Sequence, residues 1–150
     1  MDDPRPQMQD ALKKAMIAKD SARRDVLRMT ISAFKQVEID ERRELSAEDA
    51  AMILQREIKK RRDSVDEARK AGRMDIVESE ESELAMIEEF LPQQLTRDEI
   101  AVLVREAIQT SGATSAKEMG KVMAVLMPKV KGKADGKLVN EVVRDLLNNA

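Results

Sequence analysis

The chain has 150 residues, with 27 Lys+Arg against 29 Asp+Glu, and contains no Cys, His, Trp or Tyr. That composition excludes a disulfide framework, a thiol nucleophile, Cys-ligated zinc and an imidazole base. A net charge of −2 argues against coating nucleic acid through bulk charge. No run of about 18 apolar residues exists to span a membrane. The N-terminal stretch Met1-Asp2-Asp3-Pro4-Arg5-Pro6 is acidic and lacks the basic start and apolar run of a secretion leader, so a cytoplasmic location is expected.

Helix formers dominate, with five Gly and four Pro as punctuation, and no period-2 alternation marks a strand. An all-α fold is expected. A first helix is predicted from Gln7 to Lys19, with Leu12, Ala15 and Met16 facing inward and Pro4 and Pro6 marking its approach. Asp20-Ser21 can cap a second helix carrying Leu27, Ile31, Phe34 and Ile39 on one face. Ser46, followed by Glu48 and Asp49, reads as the cap of a third helix, whose Leu54, Ile58, Val65 and Ala68 form a stripe interrupted by Arg61. Gly72 suits a left-handed stop. A fourth, acidic helix is predicted from about Met74 to Phe90, ending near Leu91 because Pro92 disfavours helical geometry in the residue before it.

Beyond Pro92 the character changes. Thr96 with Glu99 spells a capping box before Ile100, Leu103, Val104, Ala107 and Ile108, and Gly112 ends that helix. Ser115 with Glu118 spells a second box before Met119, Met123 and Leu126, with Pro128 expected to kink or finish the helix. Asp135 can cap a last helix faced by Leu138, Val139, Val142, Val143, Leu146 and Leu147. The expectation is an N-terminal bundle of about four helices over 1–92 and a smaller domain of about three helices over 93–150. The first part carries 18 basic and 22 acidic residues, net −4; the second carries 9 and 7, net +2.

The feature richest in chemistry is Met127-Pro128-Lys129-Val130-Lys131-Gly132-Lys133-Ala134-Asp135-Gly136-Lys137. Lysines alternate with small residues before a helix start, an arrangement that favours anions. The plainer alternative is a solvated loop whose glycines merely turn. It is not a nucleotide P-loop: Gly132 and Gly136 are one residue too close, Leu138 stands where Ser or Thr would hold magnesium, and no buried strand precedes. Arg24 and Arg28 share a helix face and form a secondary basic patch, with pairing to Asp20, Asp25 or another helix as the alternative. The run Lys59 to Arg62 lies near Glu57, Asp63 and Asp66 and reads as a solvated face. The acidic run Glu78, Glu80, Glu81, Glu83, Glu88 and Glu89 lacks the His of a helical metal site and reads as a surface, so no metal or cofactor is expected. No nucleophile is paired with a base, so no catalytic residue is expected. With Phe34 and Phe90 as the sole aromatics, any RNA must be read through backbone and shape.

Arg24-x-x-x-Arg28-Met29, Phe90-Leu91-Pro92-Gln93-Gln94-Leu95, Met119-Gly120-Lys121-Val122-Met123 and Gly132-Lys133-Ala134-Asp135-Gly136-Lys137-Leu138-Val139-Asn140 together resemble the GatB/YqeY domain family, in its stand-alone YqeY-like form, over nearly the full length. The resemblance implies an all-helical fold and a C-terminal part similar to the tail of the tRNA-dependent amidotransferase B subunit. That enzyme is a carbon–nitrogen ligase with glutamine as amido donor; its tail contacts tRNA while its chemistry occurs in a catalytic domain with no counterpart here. The implied function is an accessory tRNA-binding module. Its candidate contacts are Lys121, Lys129, Lys131, Lys133, Lys137 and Asn140, and Gly120, Gly132, Asp135 and Gly136 shape the loop. The implied partners are tRNA and a tRNA synthetase or amidotransferase subunit, with no membrane. The alternative is a helical protein-interaction module docking on such an enzyme without touching RNA.

Overall fold

The computed structural model describes residues 3–149; Met1 and Asp2, which open the stretch read above for a leader, and Ala150 lie outside the described residues. The described chain is all helical, with seven α-helices, one 3-10 turn and no strand. It forms two compact units that divide between Pro92 and Gln93.

The N-terminal unit holds α1 (Pro4–Ile17), α2 (Ser21–Glu41), α3 (Ala47–Lys70) and α4 (Met74–Glu88). Helix α1 starts three residues before the expected Gln7. Asp3 caps it, its carboxylate accepting from the Arg5 N–H at 3.0 Å, and Pro4 occupies the first position, where a missing N–H costs nothing. Asp20 caps α2, and Ser46 and Asp49 form a full capping box on α3. Met8, Leu27, Phe34, Leu54, Ile58 and Ile87 are the heart of the core. Met16 and Ile39, expected inside, are 48% and 69% exposed. Met8 and Ala15 set the buried face of α1, and Met16 lies about 100° further round. Ile39 lies beyond Phe34, the last buried residue of the 21-residue α2.

The α3–α4 hairpin continues past this core. Arg61, only 12% exposed in its side chain, reaches from α3 to Glu83 and, at 3.6 Å, to Glu80 on α4. Beyond that charged belt Val65, Ala68 and Val77 make a small separate apolar cluster. Gly72, at φ +70°, turns the chain at the tip. The acidic face of α4, expected to meet water, is thus partly the ionic partner of α3: Arg62 pairs with Glu88 at 2.7 Å and Arg69 with Glu81 at 2.6 Å.

The C-terminal unit holds α5 (Arg97–Ser111), a 3-10 turn (Ala116–Glu118), α6 (Met119–Val130) and α7 (Gly136–Asn148) around Ile100, Val104, Ala107, Val122, Leu126, Val139, Val143 and Leu147. Thr96 and Glu99 form the capping box read from sequence, and Gly112 ends α5 at φ +72°. The second expected box does not form. Ser115 makes no side-chain cap; Glu118 instead accepts from the N–H and hydroxyl of Thr114, at 3.3 and 3.0 Å, and a 3-10 turn precedes α6. Pro128 sits inside the last turn of α6 without stopping it, because Val130 beyond it is buried in the core.

Candidate nucleic-acid interface

The candidate residues gather around the corner between α6 and α7. Lys129 is exposed in the last turn of α6, Lys131 and Lys133 are half-buried in the connecting loop, and Lys137 and Asn140 are exposed on the first turns of α7. Lys121 lies further up α6 and pairs with Glu118 at 3.1 Å. That ammonium, then the Thr114 hydroxyl, holds the Glu118 carboxyl below its usual range. Lys129, Lys133 and Lys137 form no ion pair with any described residue.

The loop backbone is differently committed from what an anion cradle needs. The N–H groups of Lys131, Lys133 and Ala134 donate to Met127 and Val130 carbonyls, closing the end of α6. Gly132 is buried at φ +75°, a conformation that a side chain would strain. Its carbonyl accepts from the Gln94 amide at 3.2 Å, and the Lys133 carbonyl accepts from the Leu95 N–H at 2.7 Å. The Asp135 carboxylate accepts from the Lys137 N–H at 3.3 Å, so the start of α7 already faces an anion of its own chain. Four N–H groups of this segment, those of Lys131, Lys133, Ala134 and Lys137, are thus spent within the chain, and an anion here would be met chiefly by ammonium groups. Gly120 and Gly136 have nothing within 4 Å of where a Cβ would stand, so packing gives no reason for glycine at either. Gln94 as anchor of the loop was not foreseen; its partner is a backbone carbonyl far along the chain, which no local motif signals.

The secondary patch lies in the N-terminal unit. Arg24 Nε donates to Asp25 at 3.0 Å, one of the partners expected from sequence, while the Arg28 guanidinium reaches, among the described residues, only the Met16 sulfur, at 3.8 Å. With Lys19, which sequence reasoning passed over, they border a cavity of about 200 Å³ at the corner between α1 and α2. The signal that could have found Lys19 is its place in the turn just before the Asp20 cap. Among the described residues no three acidic groups are placed to hold a metal, and no helix is long and apolar enough to cross a membrane.

A family model described as Yqey-like protein matches residues 5–147. Among curated relatives, the altered inheritance of mitochondria protein 41 of Lachancea thermotolerans is 41% identical over 83 residues, covering 55% of this chain and 44% of the relative. Its namesakes in Eremothecium gossypii and Kluyveromyces lactis are 35% and 36% identical over 81 and 80 residues, each covering 53% of this chain and 44% and 43% of theirs. The chain thus matches less than half the length of these relatives. All three are named as mitochondrial proteins, which corrects the expectation of a cytoplasmic location. An address is read from a leader before folding, so the composition of a folded domain does not fix its compartment.

Proposed function

The chain belongs to the YqeY-like protein family, and from that premise we propose that it is an accessory tRNA-binding module that holds the RNA backbone at the α6–α7 corner. The observation that carries this reading is the trio Lys129, Lys133 and Lys137, cations without a carboxylate partner among the described residues. In the same unit Arg97 is held by Glu141 and Asp145, at 3.7 and 2.9 Å, and Lys121 by Glu118. An ammonium that is not already neutralised is the kind that gains by displacing counterions from phosphate. With Asn140 exposed one turn beyond Lys137, the corner offers charge and one polar contact but no aromatic platform, which suits recognition by shape. On this reading the module supports a tRNA-using enzyme such as a synthetase or an amidotransferase, and does no chemistry itself.

Three phosphate contacts give a log–log salt dependence of about −2 to −3. Changing Lys129, Lys133 and Lys137 together to Glu is expected to abolish tRNA binding in a mobility-shift assay while leaving helix content unchanged by circular dichroism. Binding that survives in a folded triple variant, with the same salt slope, overturns the assignment.

A further inference from the structure

We propose that the cavity between the end of α1 and the start of α2 binds the phosphate group of a small phosphorylated ligand. It is a half-open cavity of about 200 Å³ bordered by Met16, Lys19, Asp20, Ser21, Arg24 and Arg28. Liquid water occupies about 30 Å³ per molecule, so the space holds a phosphate with part of what it is attached to. Three cations face one carboxylate in this lining. That carboxylate, Asp20, is engaged as the cap of α2, accepting from the Arg23 N–H at 3.1 Å.

The cations are poorly compensated. No described carboxylate pairs with Lys19 or Arg28, and the one recorded side-chain contact of Arg28 is the Met16 thioether, a weak acceptor. Arg24 uses its Nε on Asp25, and no bond is recorded for its two terminal nitrogens. Arg24 and Arg28 stand one helical turn apart, a spacing at which two guanidinium forks can share one oxyanion. Lys19 adopts a left-handed backbone at φ +56°, where glycine is the unstrained residue. The structure keeps a lysine in that conformation in the turn that borders the cavity. The Met16 side chain, half exposed, gives an apolar wall for the organic part of the ligand.

This site belongs to the N-terminal unit and does not depend on the lysines of the α6–α7 corner. The test uses the full chain in a low-salt, phosphate-free buffer, with backbone amide shifts followed by NMR during titration with inorganic phosphate and, separately, a nucleoside 5′-monophosphate. Saturable shifts confined to residues 15–28 are expected, with the tighter of the two titrants identifying free phosphate or a phosphomonoester as the source. Arg28→Glu is expected to weaken binding at least about tenfold, the worth of one charge-assisted hydrogen bond. Lys19→Gly is expected to weaken binding while raising the melting temperature, because it removes both the ammonium and the strained backbone; this opposition keeps the test valid should Arg28→Glu fold poorly. The triple Glu variant of the α6–α7 corner is expected to bind both titrants like the parent. Absence of saturable shifts, or binding unchanged in both Arg28→Glu and Lys19→Gly, overturns the proposal.

Discussion

The two units spend their positive charge differently. The N-terminal unit carries 11 Arg and 7 Lys, the C-terminal unit 3 Arg and 6 Lys. In the first, arginines tie one element to another: Arg5 to Glu38, Arg23 to Glu89 at 2.5 Å, Arg43 to the buried Asp49 at 2.6 Å, and Arg61, Arg62 and Arg69 across the α3–α4 hairpin. A planar fork that stays charged suits such fixed pairing. In the second, Lys129, Lys133 and Lys137 on flexible stems stand at a corner without acidic partners among the described residues. Cations can thus serve as internal fasteners or as an outward-facing field, and counting them does not tell which.

The sharpest way to break this contrast is to remove one cation from each unit. Arg61→Ala strands Glu80 and Glu83 beside a nearly buried site, and a loss of about 2 kcal/mol is expected in urea unfolding, below the cost of a fully buried pair. Lys129→Ala, at an exposed position of the corner, is expected to stay within about 0.5 kcal/mol of the parent, as surface changes do. Equal losses would erase the distinction between fasteners and field. Next in size, Thr96→Ala removes the cap of α5 and should cost about 1 kcal/mol, lowering the melting temperature of the C-terminal unit without altering the charge of the lysine corner. Unaltered RNA binding in that variant would separate the corner's electrostatics from the unit's stability.

The smallest effect concerns acid. The hydrogen bond from the Arg5 side chain, opposed by partial burial, leaves the Asp3 carboxyl below its usual range. A carboxyl lowered in the folded state contributes stability that is complete above its unfolded pKa and is lost as pH falls through the folded one. Asn also caps helices, so Asp3→Asn keeps the cap and removes the titration. Its melting temperature should fall less between neutral and acid pH than that of the parent; parallel curves would show that the Asp3–Arg5 pair stabilises nothing.

Most features governed by neighbouring residues were legible in the sequence, the Ser115–Glu118 box and the Asp3 cap being the exceptions. The Thr96–Glu99 box, the Asp20, Ser46 and Asp135 caps and the stops at Gly72 and Gly112 depend on atoms a few positions apart, and each stands where the pattern placed it. Features decided across space were not. Lys60 does pair with Glu57, as its neighbourhood indicated, but Arg61 and Arg62 turn to α4. Met16 satisfies a helical stripe and yet faces water, because the packing of α1 against its neighbours chooses which side of that stripe is inside. At the candidate corner the lysines were visible as a run of letters. That the N–H groups of Lys131, Lys133 and Ala134 are consumed by the end of α6 depends on a backbone path no letter encodes.

The charged belt at Arg61 has a mechanical consequence. Helix α3, at 24 residues, is about 36 Å long, and its outer third is held by α4 through three small apolar side chains and a few ionic ties. Such an end can fray and reseal while the heart of the bundle stays intact. The hairpin is thus a lever with a soft tip and a firm root, and raised salt, which loosens ionic ties and spares oily ones, softens the tip first.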